Sequence, residues 1–306
     1  MKFLITGDWH LRLNKPILRK DENYLDTQID KVNQILELST KNRCDYILQP
    51  GDFFDSFDTP FLVINKFIKI LNKSSKSLIA VSGQHDKKNH TKELGKTSLG
   101  IMDACDSIKI LKNDNTFIKN NVTFYGASWG EEIPKIVTPD NFNVLLTHRM
   151  IIKDKKLWDQ QKQYNVASAL LQKHEYDLII SGDNHQTFTQ EKKGKILVNC
   201  GSLLRTRIDQ EDHKPCVFLF DTTTKELEQI FLKVKPASEV FDLYRKKKEK
   251  ERNEKLESLI KGLEETDIES LDLDFVSVLY NVIENTDCGT SIKIIADEFL
   301  HEYFES

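Results

Sequence analysis

The sequence has no apolar run that approaches the ~20 residues needed for a membrane-spanning helix. Its first residues, 1–6, form a brief apolar stretch that Gly7 and Asp8 interrupt. A secretory signal would need a longer apolar region followed by a small-residue cleavage site, so we expect a first β-strand here instead. These two absences predict a cytoplasmic protein.

Cysteine is also scarce, and there is no excess of positive charge. The five cysteines are not closely spaced, which argues against a disulfide framework or a thiolate-built zinc cluster. The 44 basic and 48 acidic side chains give a net charge of −4, which carries no overall sign of nucleic-acid binding. A nuclease needs only a local basic patch, however, so the composition leaves the substrate open.

What the sequence does contain is an alternation of short apolar runs with amphipathic stretches. Apolar runs of strand length, each leading into a polar loop, occupy residues 2–6, 46–49, 78–82, 143–147 and 178–181. Residues 25–38 and 61–71 have apolar side chains at helical spacings of three and four. This alternation predicts a layered α/β domain. Later apolar runs follow one another without helices and predict a meander, at residues 195–199, 216–221 and 226–235.

The composition changes near Pro236, so we expect one domain at residues 1–235 and a second region at 236–306. Residues 244–255 are almost entirely charged, and helical apolar patterns follow up to residue 306. The charged run is typical of a solvated helix face with Glu–Lys pairs. A basic DNA-binding arm is the alternative, which the acidic residues of the run weaken.

Each of the first five predicted strands ends in side chains that commonly bind metals. In chain order the clusters are Asp8-Trp9-His10, Gly51-Asp52-Phe53-Phe54-Asp55, Gly83-Gln84-His85-Asp86, Thr147-His148 and Gly182-Asp183-Asn184-His185. A single Gly-Asp pair is most often a turn, and a single histidine is most often a surface residue. Five clusters in order predict a shared site instead, because the carboxyl ends of such strands lie around one crevice. Their donor types suit manganese, iron, zinc or magnesium, and a shared carboxylate can bridge two ions.

This order of motifs resembles the calcineurin-like metallophosphoesterase superfamily over residues 1–235. The family pattern is Asp-x-His, Gly-Asp-x-x-Asp, Gly-Asn-His-Asp/Glu, a later His and Gly-His-x-His. Within the superfamily the chain is similar to SbcD-type DNA nucleases and the related phage recombination-endonuclease subunit, through residues 7–10, 51–55 and 198–202. The resemblance implies an α/β fold of mixed β-sheets flanked by helices, with a small α-helical C-terminal region.

The resemblance also implies a site with two divalent metal ions, most readily Mn²⁺, with Mg²⁺ as the alternative. The implied ligands are Asp8, His10, Asp52 and His185 for the first ion, and Asp52, Gln84, His148 and Asp183 for the second. His85 would be the general acid, Asp86 would orient its imidazole, and Asp55 would support the loop of Asp8 and His10. The attacking group would be a metal-bound hydroxide.

Two positions depart from the family pattern, and both belong to the second ion. Gln84 stands where the family has Asn, and Asp183 stands where it has His. Each offers an oxygen donor, and a carboxylate in place of an imidazole should favour Mn²⁺ or Mg²⁺ over zinc. The alternative is decay to a one-metal or inactive scaffold, and the retention of the other motif residues argues against it.

The function implied by the resemblance is a metal-dependent DNA nuclease, exonuclease or endonuclease, in an SbcCD-type recombination or repair complex. Candidate DNA contacts are basic side chains near the predicted site, each of which could instead be a solvated surface charge. They are Lys87, Lys88, Lys92, Arg205 and Arg207. Two other functions stay open: a small-molecule or protein phosphatase of the same superfamily, and a degenerate scaffold that binds proteins without catalysis.

The partners implied by the resemblance are DNA and an SbcC-type coiled-coil ATPase, with the nuclease as a homodimer in the complex. Residues 256–306 could supply an amphipathic segment that binds the ATPase, or could pack on their own catalytic domain. If the protein is phage-encoded, its location would be the cytoplasm of the host.

Overall fold

The structure is a computed structural model that describes residues 1–91, 93–245, 248 and 252. The chain divides into two compact units, Met1–Val240 and Phe241–Ser306. The helices predicted within residues 256–306 lie outside the described residues. In the part of the chain that is described, no helix has the length and apolarity needed to cross a membrane.

Two six-stranded sheets and one short strand pair make up the β-structure of the described residues. The first sheet contains, in spatial order, β14 (Leu227–Phe231), β13 (Cys216–Asp221), β1 (Lys2–Ile5), β2 (Tyr46–Gln49), β3 (Ser77–Ala80) and β4 (Lys109–Ile110). The second contains β11 (Phe188–Lys192), β12 (Lys195–Asn199), β10 (Leu178–Gly182), β7 (Phe142–His148), β6 (Val122–Ala127) and β5 (Phe117–Lys119). The pair consists of β8 (Ile151–Ile152) and β9 (Asn165–Val166).

The helices are α1 (Tyr24–Lys41), α2 (Phe61–Lys73), α3 (Ser98–Ala104), α4 (Ala167–Lys173) and α5 (Ala237–Val240). Three short 3₁₀ turns occupy Lys88–His90, Leu94–Lys96 and Ile208–Gln210. Helix α1 begins after Asn23, whose side chain accepts a hydrogen bond from the Leu25 amide and so satisfies an N–H that the first turn leaves free.

Four layers result from the two-residue period of the central strands. In β1, Phe3 and Ile5 pack into a core shared by both sheets, whereas Leu4 packs into a second core with side chains of α1, α2 and α3. In β10, Ile180 belongs to the shared core, and Ile179 packs with α4 on the other side. The order of layers is therefore helices, sheet, sheet, helix, and the predicted fold class of mixed sheets flanked by helices is confirmed.

Parallel pairing places the loops at the carboxyl ends of neighbouring strands at the same edge of each sheet. Strands β1, β2 and β3 are parallel neighbours in the first sheet, as are β7 and β10 in the second. The predicted meander is wrong, because β12 runs parallel to β10 while β13 joins the first sheet beside β1. The pairing partner of a strand cannot be read from its own apolar run. Among β11 to β14, the antiparallel neighbours are the two hairpins, β11–β12 and β13–β14.

Candidate metal centre

Loops from both sheets bring the sequence-predicted ligands together. The loop after β1 carries Asp8 and His10, and the loop after β2 carries Asp52. The Asp52 carbonyl accepts hydrogen bonds from the amides of Trp9 and His10, at 3.0 and 2.9 Å, so these two loops are joined through the backbone. The second sheet contributes His148 at the end of β7 and the residues that follow β10.

Three of the candidate ligands adopt left-handed backbone conformations that are uncommon outside glycine. The φ angles are 46° at His10, 49° at Asp52 and 79° at Asp183. Such conformations cost roughly 1–3 kcal/mol each and persist only where the surrounding structure imposes them. Their concentration in the ligand loops is typical of a functional site.

The first group of donors consists of Asp8, His10 and His185. The Nε2 atoms of His10 and His185 lie 3.1 Å apart, and His185 Nε2 lies 3.5 Å from Asp8 Oδ2. Donors that share one transition-metal ion at bond lengths of about 2.0–2.2 Å are separated by roughly 3–3.5 Å. The group therefore has the spacing of ligands to a single ion.

A second group, Asp8, Asp52 and His148, adjoins the first. Asp52 Oδ2 lies 3.3 Å from His148 Nε2 and 3.6 Å from His10 Nε2, so this carboxylate borders both groups. A third combination joins His10 and Asp52 to His85. The overlap around Asp52 is the arrangement expected of a carboxylate that bridges two ions.

Several buried polar atoms in the cluster have no hydrogen-bond partner in the protein. One is His10 Nδ1, on the side of Asp55, and the other four are Asp8 Oδ1, Asp52 Oδ2, Gln84 Oε1 and His148 Nε2. Buried polar atoms are normally satisfied, because an unpaired one loses its hydration without replacement. All four are oxygen or imidazole donors of the kinds that bind divalent ions, so the residues present fit a metal centre.

The charges of the cluster lead to the same interpretation. Burial raises the pKa of Asp8 to about 7, and the Asp52 carboxylate contributes to this shift. Burial lowers the pKa of His148, but the nearby carboxylates outweigh burial and raise it to about 10. Burial and positively charged neighbours lower the pKa of His185 to about 3. Without a cation, the buried Asp8 carboxyl therefore resists ionisation beside the Asp52 carboxylate. A divalent cation would stabilise both negative charges.

Backbone carbonyls orient two of the imidazoles. His148 Nδ1 lies 2.8 Å from the carbonyl of Pro50, and His85 Nδ1 lies 2.8 Å from the carbonyl of Asp55. A carbonyl only accepts hydrogen bonds, so Nδ1 is the protonated nitrogen in both rings and Nε2 is left for the site. These two contacts could not be predicted from the sequence, because every residue type offers a backbone carbonyl.

Asp86 does not orient the His85 imidazole, contrary to the expectation from the resemblance. Its buried carboxylate accepts hydrogen bonds from the amides of Gly83, Phe53 and Phe54, at 2.9, 3.2 and 3.0 Å. Both oxygens are occupied by these backbone donors. Asp86 therefore ties the loop after β3 to the loop after β2.

Asp55 lies where the sequence analysis places it, beside the loop of Asp8 and His10. Its Oδ1 lies 3.6 Å from His10 Nδ1, and its Oδ2 lies 3.0 Å from Arg12 Nη1. The arginine was not predicted as part of this contact. The Asp55 carboxylate therefore lies beside Nδ1 of His10, whereas Asp52 and His185 lie beside Nε2.

The two residues that depart from the family pattern contact each other. Gln84 Nε2 donates to Asp183 Oδ1 at 3.3 Å, which leaves Gln84 Oε1 buried and unpartnered. The Asp183 amide donates to Asp8 Oδ2 at 2.8 Å. The Asp183 carboxylate is not a member of the three donor groups found among the described residues. Its role as a ligand stays a prediction.

The basic candidates for DNA contact fall into two kinds. Lys87 and Arg205 are buried, and each donates to backbone carbonyls inside the fold, Lys87 at 2.6 Å. Their burial contradicts the assignment as DNA contacts, because these charges cannot reach a phosphate. Lys88 and Arg207 have exposed side chains, and Lys92 lies outside the described residues.

An open cleft of about 1020 Å³ leads to the donor groups. Its lining includes His85 and His185 from the cluster, Arg207 from the loop after β12, and the exposed aromatic side chains of Trp158 and Phe231. The two aromatic residues were not predicted, since an isolated aromatic residue in a sequence does not reveal whether it is exposed.

The chain belongs to the calcineurin-like phosphoesterase superfamily, whose domain model matches residues 1–225. The family assignment and the donor groups support a metal-binding hydrolase. A search among curated proteins finds no match.

Solved structures that match the chain include three of different origin. One is an archaeal phosphodiesterase, 16% identical, with a TM-score of 0.42 over 76% of this chain and all of that one. Another is wild-type Vps29 from Entamoeba histolytica complexed with zinc, 14% identical, with a TM-score of 0.36 over 76% of this chain and 99% of that one. The third is GAP50 of Plasmodium, 15% identical, with a TM-score of 0.41 over 78% and 90%.

Proposed function

We propose that the protein is a metal-dependent DNA nuclease that hydrolyses phosphodiesters as the nuclease subunit of an SbcCD-type recombination or repair complex. The observation that carries the proposal is the overlap of donor groups around Asp52 at the end of an open cleft. The choice of DNA rests on the resemblance of residues 7–10, 51–55 and 198–202, and on the room that the cleft offers a polymer.

The residues that would hold the ions are those of the two overlapping groups. The first ion would be held by Asp8, His10, Asp52 and His185, and the second by Asp52, Gln84, His148 and Asp183. Two divalent ions, when bound, neutralise the phosphate and make water more acidic. The oxygen-rich second set favours Mn²⁺, with Mg²⁺ as the alternative.

His85 supplies the proton for the leaving oxygen in this proposal. Its Nδ1 is held by the Asp55 carbonyl, and its side chain is exposed to the cleft. The ring is therefore fixed while Nε2 is free to exchange a proton with a bound ester. His10 packs edge-on against the same ring, with centroids 4.9 Å apart, and limits its rotation.

The proposed partner is an SbcC-type coiled-coil ATPase, with which the nuclease would act as a homodimer in the cytoplasm. This part of the proposal rests on the resemblance and on the amphipathic pattern of residues 256–306, which lie outside the described structure. The ATPase would supply processive, ATP-dependent activity to a nuclease that is weak alone.

A substrate panel tests the proposed reaction. The purified protein is given single- and double-stranded DNA, and p-nitrophenyl phosphate monoesters and diesters, each with Mn²⁺ or with EDTA. We expect Mn²⁺-dependent cleavage of DNA and of the diester, with little action on the monoester. Asp52→Asn should abolish cleavage, and Asp114→Asn, which replaces an exposed carboxylate outside the cleft, should not.

The other outcomes of the panel favour the two alternative functions. Preference for the monoester would identify a phosphatase of the same superfamily. Absence of hydrolysis by a protein that binds Mn²⁺ would favour a scaffold without catalysis. Cleavage that is equal in Mn²⁺ and EDTA would contradict the metal-dependent site itself.

A further inference from the structure

The large aromatic side chain of Trp158 is exposed to solvent at the cleft of the candidate metal centre. Trp158 is 54% exposed and lies in the loop of residues 153–164, which connects β8 to β9. Tryptophan combines a large apolar surface with a flat aromatic face, and its exposure at a cleft commonly marks a binding surface.

The loop holds Trp158 in a defined position. The Leu157 amide donates to Gln161 Oε1 at 2.9 Å, and the Gln161 amide donates to the Trp158 carbonyl at 3.1 Å. The Gln161 side chain is buried beneath this turn. Parallel pairing of β8 with β9 closes the loop at its base. The indole is thus presented by an ordered turn.

Trp158 borders the metal centre from two directions. It lines the cleft of about 1020 Å³ together with His10 and His185. It also lines a neighbouring cleft of about 680 Å³ together with His148 and Asp183. A chain that passes over the donor groups from one cleft to the other therefore meets the indole.

The loop that carries the indole has a net positive charge. Residues 153–164 contain four lysines and two aspartates, all with exposed side chains: Lys153, Asp154, Lys155, Lys156, Asp159 and Lys162. Phe231, which is 57% exposed, lines the larger cleft together with the basic Lys214 and Arg207 and the acidic Asp209 and Asp212. Aromatic faces interleaved with basic side chains are the pattern of single-strand nucleic-acid binding, because phosphates meet the charges while bases stack on the rings.

We propose that the loop of residues 153–164 binds a single-stranded stretch of the DNA substrate, with one base stacked on the indole of Trp158 and the phosphates on the neighbouring lysines. Bases inside a duplex have both faces covered by their neighbours, so this surface favours an unpaired base over an internal base pair. The proposal names the substrate-positioning surface of the nuclease site and rests on the proposed function for the identity of the polymer.

The test compares the binding of an eight-residue oligothymidine with that of an oligomer of the same phosphates and abasic sugars, in EDTA so that no cleavage occurs. Fluorescence anisotropy gives the two dissociation constants. We expect the wild type to prefer the base-containing oligomer about tenfold, since stacking on one aromatic ring contributes on this order. Trp158→Ala should reduce the preference to near unity, and Trp158→Phe should keep most of it.

Two further variants separate stacking from charge and from general loss of fold. Phe61→Ala removes an aromatic side chain that is 75% exposed on α2 and lines neither cleft, and it should leave the preference unchanged. Replacing Lys155 and Lys156 by alanine should weaken both oligomers about equally and reduce the salt dependence of binding. Circular dichroism establishes that each variant is folded.

The inference is overturned if folded Trp158→Ala retains the wild-type preference, or if the wild type binds the abasic oligomer equally well. Tighter binding of a thymidine–adenine duplex than of the single strand would also overturn it. These outcomes are independent of hydrolysis. Failure of the nuclease assay with an intact base preference would reject the proposed reaction and leave the binding surface standing.

Discussion

His85 and His148 are held by the carbonyls of Asp55 and Pro50, rather than by carboxylates. A carbonyl accepts a hydrogen bond from Nδ1 without adding a negative charge, so Nε2 of each ring is turned toward the site. Burial separates the roles of the two residues: His148 is fully enclosed among carboxylates, whereas His85 is exposed to the cleft. This difference suits one ring to metal binding and the other to proton transfer.

Replacement of His85 by alanine is expected to lower the rate of diester hydrolysis about 10²–10⁴-fold, because general-acid catalysis typically contributes this much. The Mn²⁺ content, measured by atomic absorption, should stay close to that of the wild type. His174→Ala, which removes an imidazole from the end of α4, serves as the control and should change neither quantity. A metal-free or fully active His85→Ala protein would contradict the assigned role.

Gln84 and Asp183 are expected to act as a matched pair, since the amide of one already donates to the carboxylate of the other. Gln84→Asn or Asp183→His alone should weaken the binding of the second metal ion and lower the Mn²⁺-dependent rate of hydrolysis. The double variant need not be worse than either single one, because neighbouring ligands couple non-additively. Metal stoichiometry and rates of the four proteins measure this coupling, and Asp183→Ala with both metals and full activity would rule out Asp183 as a ligand.

For single residues, the sequence predicts which side chains are candidate ligands. It does not predict which hydrogen bonds their individual atoms make. The motif pattern brought Asp8, His10, Asp52 and His148 together correctly in space. It misassigned Asp86, because the hydrogen bonds of a carboxylate to backbone amides leave no trace in residue types. Burial of a long basic side chain is equally invisible when its partner is a carbonyl.

Among the elements, the loops after β2 and β3 are packed so closely that a glycine is required. A Cβ added at Gly83 would lie 2.0 Å from Asp52 Oδ1 and 2.4 Å from the Asp52 amide nitrogen. The two loops must separate to accommodate even one methyl group. The position of the Asp52 carboxylate therefore depends on the absence of a side chain at Gly83.

Gly83→Ala is expected to lower Mn²⁺ affinity at least about tenfold and to reduce hydrolysis, because displacement of Asp52 affects both ions. Isothermal titration calorimetry measures the affinity. Gly95→Ala is the matched control, since a Cβ at Gly95 meets no atom within 4 Å. Equal Mn²⁺ affinity of Gly83→Ala and the wild type would show that the loops tolerate the change.

The predicted elements were those with a strong local signal. Strands β1, β2 and β10 and helices α1 and α2 lie close to their predicted positions, because each is an unbroken apolar run or a long amphipathic stretch. Strands of two or three residues, such as β4 and β8, carry too few side chains to show a period. The arrangement of two sheets likewise depends on long-range pairing that local patterns do not contain.

For the whole molecule, we propose that residues 1–235 carry out catalysis and that residues 256–306 bind the partner. Deletion of residues 256–306 is expected to spare Mn²⁺-dependent hydrolysis of a small diester, since every described donor lies before residue 190. The same deletion should abolish co-purification with an SbcC-type ATPase. ATPase binding that survives the deletion would place the interface on another part of the chain.

The most direct test of the account is the anomalous diffraction of crystals grown with Mn²⁺ and measured at the manganese edge. We predict two peaks about 3.5–4 Å apart with Asp52 between them. The first should lie among Asp8, His10 and His185, and the second beside His148 and Gln84. A single peak, or peaks that do not contact Asp52, would contradict the two-metal centre.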